Sequence, residues 1–280
     1  MYKRFLKIEF KRTFFSHRML MALVMFMSIF IYISTRYKLN VPINPSYSKN
    51  QILEQSNCFI NFLNTMGNPL ESFMCLVFPL IILLVVGDSL FLDYKTSFLK
   101  FSITRINYKK YIFYKTTAIA SIAFVFSLVF QILAFIYSVI STPFYLPTKM
   151  SIIEEIAPKC NGELFVRSPF AYIGLTMIIL SLIATVISVV GVLTSSISKN
   201  SFSVIGAPWL IYILGSEIIY IIGPDLLDAM QYINPMNMMG PVLFMESTKL
   251  IYVVIYWMVL LVGISAISYR LALRKFNLGL

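Results

Sequence analysis

The sequence predicts an all-α integral membrane protein: six transmembrane helices, an N-terminal amphipathic interfacial helix, and broken external helices before the last span. Three observations carry this. The 280 residues are 59% hydrophobic and only 12% charged, with a mean hydropathy of +0.81, a balance foreign to a soluble domain. Six apolar runs reach the ~17–25 residues that cross a hydrocarbon core. Lys and Arg cluster beside those runs rather than along one soluble face, so the net charge of +11 marks membrane flanks and not a nucleic-acid partner.

Residues 1–17 come first. Tyr2, Phe5, Leu6 and Phe10 fall on one side of a helical wheel and Arg4, Lys7 and Lys11 on the other, which is the pattern of a helix lying in the interface. Ile8 and Arg12 blur that division, so an ordinary positive flank is the competing reading. The first span, 19–35, has no small-residue cleavage site and is expected to be retained. Residues 36–69 are polar, rich in Asn and broken by Pro42, Pro45 and Gly67. They read as an external loop with a short helix from Ile52 to Phe62.

The second span, 70–86, has Glu71 and Asp88 at its two ends, where a carboxylate reaches an interface. The interval 88–115 is the largest basic loop and is expected to be cytoplasmic. Phe98 and Phe101 stand three apart in it, so on a short helix they share a face, with Leu99 between them. The third span is 116–141. Residues 142–168 form a second external excursion with Pro143, Pro147, Pro158 and the adjacent acids Glu154 and Glu155.

The fourth span, 169–194, contains Gly174 and Gly191, small residues that permit close helix packing. The fifth, 204–222, carries Glu217. An acid there either lines a path or sits hydrated near the external end, and both readings stay open. In 223–249 the breaks at Asn234-Pro235 and Gly240-Pro241 predict two short helices dipping into the outer leaflet. The Met residues there, Met236 and Met239 among them, serve either plain packing or an adaptable binding surface. The last span is 250–269, and Arg270, Arg274 and Lys275 follow it. Six spans put both termini on one side, and the charge asymmetry makes that side cytoplasmic.

Cys58 and Cys160 both fall in external stretches; a disulfide between them and two separate thiols are both compatible with the sequence. His17 is the single histidine, and no metal-type spacing occurs. Phosphate-binding loop, His-Glu-x-x-His and Gly-x-Ser-x-Gly motifs are all missing, so no catalytic residue is assigned and no nucleotidase is expected in this chain.

This organisation resembles the membrane subunit of type 2 ABC exporters, the six-span permeases. The most specific match is the central loop: Asp93 for the family's Glu, Thr96-Ser97 for Gly-Thr, Phe98-Leu99 for a leucine-rich run, Ile103-Thr104-Arg105 for a Thr-Pro motif that here lacks its Pro, and Tyr114-Lys115 for Gly-Lys. Asn234-Pro235 resembles the family's Asn-Pro after the fifth span. The resemblance implies a multi-pass protein of a bacterial plasma membrane whose loop docks on a separate cytoplasmic ATPase. Two copies of that ATPase would bind ATP and Mg, while this chain binds no cofactor itself. It implies a second permease, identical or related, and an amphipathic or lipophilic substrate such as an antimicrobial peptide. The implied ATPase contacts are Asp93, Tyr94, Thr96, Phe98, Leu99, Phe101 and Arg105, with Glu217, Met236 and Met239 toward the substrate path. A membrane-embedded enzyme and a non-transporting scaffold or sensor are the rival readings.

Overall fold

The computed structural model describes residues 2–40, 52–53, 56–67, 73–96, 98–147, 161–226, 233–239 and 250–277. Among these there is no strand, and six helices are long and apolar enough to cross a membrane. The chain is therefore a multi-pass membrane protein.

Helix α1 spans Tyr2–Phe14 and α2 spans His17–Asn40. Ser16 makes the corner: its hydroxyl donates to the Thr13 carbonyl at 2.7 Å and accepts the Met19 amide at 3.3 Å. The apolar side of α1 packs in part against α7 (Tyr108–Ser141). Phe5 lies edge-on to Tyr111 and near Tyr114, and the Tyr2 hydroxyl donates to Thr117 at 3.3 Å, so Phe5, Leu6 and Phe10 are half-buried against protein.

Within the stretch where a short helix is expected, 52–62, residues 52–53 are helical and a second helix, Cys58–Gly67 (α3), runs past the expected end with all ten of its residues buried. Its start is set by Asn57, whose side-chain oxygen accepts the amides of Phe59 and Ile60 at 3.0 Å each. Phe59, Phe62 and Leu63 give it an apolar face, and its polar residues find partners on α2: Asn61 donates to Ser34 at 2.8 Å and Asn64 to Tyr37 at 2.6 Å. An asparagine-rich stretch thus packs inside because each amide is satisfied. Cys58 is a buried free thiol raised by burial to about 11; Cys160 lies outside the described residues, as do Glu71, the Glu154–Glu155 pair and residues 240–249.

Helix α4 (Met74–Ile82) continues through a π-turn at Leu83–Gly87 into α5 (Ser89–Lys95), so the second span runs on past its apolar stretch. Pro79 inside α4 supplies no amide to the Cys75 carbonyl. Tyr212 donates to that oxygen at 3.1 Å and the Trp209 indole donates to the Leu76 carbonyl at 2.9 Å. A backbone acceptor freed within the membrane is satisfied by a neighbouring span.

Helix α6 is Phe98–Ile103, and α7 is Tyr108–Ser141, beginning eight residues before the expected 116. Asn107 caps α7 by accepting the Lys109 amide at 3.0 Å. The expected loop 88–115 therefore shrinks to a link that carries α6. Helix α8 (Gly162–Arg167) leads to α9 (Pro169–Ile197), α10 (Ser201–Leu226) and α11 (Leu250–Asn277), with Pro169 at the helix start, where a missing amide costs nothing.

The core lies between α2, α3, α4, α7 and α9. Phe26 stacks on Phe130 at 4.3 Å and meets Phe78 and Phe126, while Phe30 meets Phe62. Between lipid-solvated helices such shape-matched ring packing replaces the hydrophobic drive available in water. Gln131 of α7 donates to the Met177 carbonyl at 3.3 Å and to Ser181 at 3.2 Å on α9, a polar tie inside the bundle. Gly191 of α9 lies against the π-turn so closely that a Cβ there would stand 2.7 Å from the Gly87 Cα. Ser195, one turn on, donates to the Gly87 carbonyl at 3.0 Å. Gly174 has no such neighbour.

Gly191→Ala should push α9 off the π-turn and cost about 1–3 kcal/mol, the range for overpacking; thermal unfolding of the purified protein reads it, and an unchanged midpoint refutes the close contact. Cys58 should resist maleimide in the folded protein well below pH 11 and react once it is denatured. Prompt labelling of the native protein would contradict its burial.

Candidate functional site: a buried ion cluster at the basic end

The basic end of the bundle is built around α5. Asp88 at the entry of this helix and Asp93 on it stand one and six residues beyond Gly87, the last residue of the π-turn, and both are buried. Asp93, 2% exposed, meets Lys115 of α7 at 2.6 Å, Arg12 of α1 at 3.1 Å and the Tyr111 hydroxyl, which donates to it at 2.6 Å. Lys115, with 0% exposure, also meets Glu9 of α1 at 2.8 Å, and Arg12 meets Glu9 at 3.1 Å. Arg12 adds a hydrogen bond to Ser89 at 3.3 Å. Glu9, Asp93 and Lys115, all buried, and the partly exposed Arg12 thus form a neutral set from three helices in which each buried charge has a partner, the condition under which buried ions are tolerated.

Burial works against the charge on Arg12. The fields of Asp93 and Glu9, with the hydrogen bond to Asp93, outweigh that burial and hold the guanidinium above its ordinary value. Its carbon lies 5.3 Å from the centre of the Phe98 ring, a cation–π contact that reaches from the cluster to α6.

Two further ties flank the cluster. Arg18 of α2 pairs with Asp88 at 3.0 Å, and Ser201 of α10 donates to the same carboxylate at 3.0 Å. On the other side the Tyr94 hydroxyl is 2.8 Å from that of Tyr108, which donates to the Ala272 carbonyl of α11 at 2.8 Å. Through Asp88, Asp93 and Tyr94, α5 is joined to α1, α2, α7, α10 and α11.

This sorts the residues expected at a partner contact. Asp93 and Leu99 are buried, and Tyr94 is turned toward Tyr108; the reason is that α5 is a helix continuing the span, not a loop. Thr96, Phe98, Phe101 and Arg105 are on the surface, Phe101 at 74% and Phe98 at 39% exposure beneath Arg12. The residues expected near a path differ in exposure. Glu217 is exposed on α10, whereas Met239 is buried with its sulfur 3.2 Å from the Tyr212 hydroxyl, and Met236 is half-buried. Asn234 is structural: it donates to the Ser216 carbonyl at 3.1 Å and accepts the Met236 amide at 3.0 Å. Among the described residues no group of His, Cys, Asp and Glu is arranged to hold a metal ion.

Glu9 and the inward role of Lys115 escaped the sequence reading. The signal was present: Glu9 is the single acid before residue 54, and it sits on the apolar side of α1, where only a cationic partner keeps it stable.

Lys115→Met should leave Glu9 and Asp93 with one shared cation and destabilise the protein by about 3–5 kcal/mol, the cost of an orphaned buried charge. Adding Asp93→Asn should recover a large part of that loss in the unfolding midpoint. A double variant no more stable than the single one would show that the three side chains do not act as a unit.

Compared with family models, characterised proteins and solved structures, the chain matches none; its described residues give six helices long and apolar enough to cross a membrane and a neutral ion cluster at the basic end.

Proposed function

We propose that this chain is the membrane-spanning subunit of an ATP-driven exporter, and that a separate cytoplasmic ATPase docks on α6. The observation that carries the reading is the exposure of Phe101 on a short helix whose root is braced to five others. A large ring in water at the end of a polar, basic segment is costly without a partner. A rigid root is what a mechanical input requires, since force on α6 would pass through α5 into α1, α2, α7, α10 and α11 instead of bending a loop.

The charge asymmetry supports a cytoplasmic location for this end and for both termini. The interior of one copy is filled by aromatic rings between α2, α4 and α7, so a substrate path would run between two copies and not through one. Much of α10 and α11 is exposed, including Ile211, Leu214, Ile218, Val259 and Val262, which leaves apolar faces for a second permease and for lipid. Such surroundings fit an amphipathic or lipophilic substrate, an antimicrobial peptide among them, better than a small ion.

Phe101→Ala should abolish co-purification of an ATPase subunit while leaving the unfolding midpoint within about 0.5 kcal/mol of the parent, as for other surface changes. Phe98→Ala should weaken association less, because that ring is partly occupied by Arg12. Retention of the ATPase by the Phe101 variant would overturn the assigned contact.

A further inference from the structure

The outer face of α1 has no role in the ion cluster and none in the proposed ATPase contact. Arg4, Lys7, Ile8 and Lys11 are exposed and fall within an arc of about 100° at 3.6 residues per turn. Phe15 follows at the corner, 85% exposed, and Ile8 is 55% exposed. No ion pair links Arg4, Lys7 or Lys11 to a described residue; the neighbouring acid, Glu9, is turned inward and neutralised by Lys115 and Arg12. The face is therefore three uncompensated cations interleaved with two apolar side chains.

The depth of this face follows from its contacts. Tyr2 lies against Tyr114 and Thr117, Phe5 against Tyr111 and Tyr114, and Glu9 against Lys115, so α1 stays at one level of α7 along its length and crosses it. Helix α7 has 34 residues, ~51 Å at 1.5 Å per residue, well beyond a hydrocarbon core of ~30 Å. The helix is long enough for its first turns, where Lys109 and Lys110 are exposed, to stand outside that core, and it is these turns that α1 crosses. The apolar stripe of α2 continues from there through Leu20, Met21 and Val24, all exposed.

We propose that this face is a docking surface for anionic phospholipid headgroups. Arg4, Lys7 and Lys11 would meet the phosphates, while Ile8 and Phe15 enter the boundary beneath them. A protein partner or a nucleic acid would supply the anions but gives no reason for two apolar side chains at headgroup depth. The lipid contact differs from the usual picture of an interfacial helix, because the side of α1 that faces lipid is its cationic one and its apolar side packs in part against α7.

The test uses the full chain in detergent and equilibrium binding of fluorescent phosphatidylglycerol, with unlabelled phosphatidylglycerol, phosphatidylcholine and glycerol 3-phosphate as competitors. Phosphatidylglycerol should compete, the other two should not, and added salt should weaken binding. The combined Arg4→Gln, Lys7→Gln and Lys11→Gln variant should lose about a hundred-fold in affinity, and each single change about five-fold. Its unfolding midpoint without anionic lipid should match the parent, and the single variants keep the test open if the triple variant fails to fold. Equal competition by phosphatidylcholine would overturn the proposal. So would competition by glycerol 3-phosphate, which would mark a free-anion site. Unchanged lipid affinity in the triple variant together with loss of a co-purifying ATPase would assign the face to protein instead.

Discussion

Taking an ammonium and two carboxylates out of water is costly, and the base of this bundle exists because Lys115, Glu9 and Asp93 bear that cost jointly, with Arg12 as fourth member. The three helices they come from could each be stable elsewhere. What the charges add is register: α1 must lie across α7 at Lys115, and α5 must continue the second span far enough to present Asp93. An apolar core would tolerate a shifted helix more readily than this set does, since any slip orphans a buried ion.

The same constraint explains why the polar interval between the second and third spans is mostly helix. Asp88 and Asp93 are neutralised by Arg18, Arg12 and Lys115, so hydropathy falls while backbone hydrogen bonding continues. Apolar length made all six spans legible, including the start of α9 at Pro169. It could not locate where a span ends when its polar extension is paired with a distant segment. The partner of Asp93 lies 81 residues away in Arg12, and nothing in local composition encodes that. Helix α3 is similar: seven asparagines before the second span read as a loop, but Asn61 and Asn64 are paired with Ser34 and Tyr37 on α2.

Helical spacing singled out Phe98 and Phe101, which are exposed, and gave no sign that Asp93 and Leu99 are buried. Phe98 and Phe101 share a face as three-residue spacing requires, yet Arg12 covers one ring and leaves the other. Sequence spacing gives direction around an axis but not what arrives from another helix. Asn234 shows the converse: its neighbour Pro235 marks a break, while its side chain secures the break by bonding to α10 and to its own turn.

The hydrogen bonds around Pro79 carry a consequence for how the protein can change over generations. Tyr212 and Trp209 donate to carbonyls near the proline. A substitution restoring an amide at position 79 would compete with Tyr212 for the Cys75 oxygen and could leave a phenol unsatisfied in a medium without water. Loss of the Tyr212 phenol while the proline stays would strand the Cys75 acceptor instead. Neutral drift at positions 79 and 212 is therefore coupled, and descendants of this chain should inherit the proline and the phenol as a pair or replace them together.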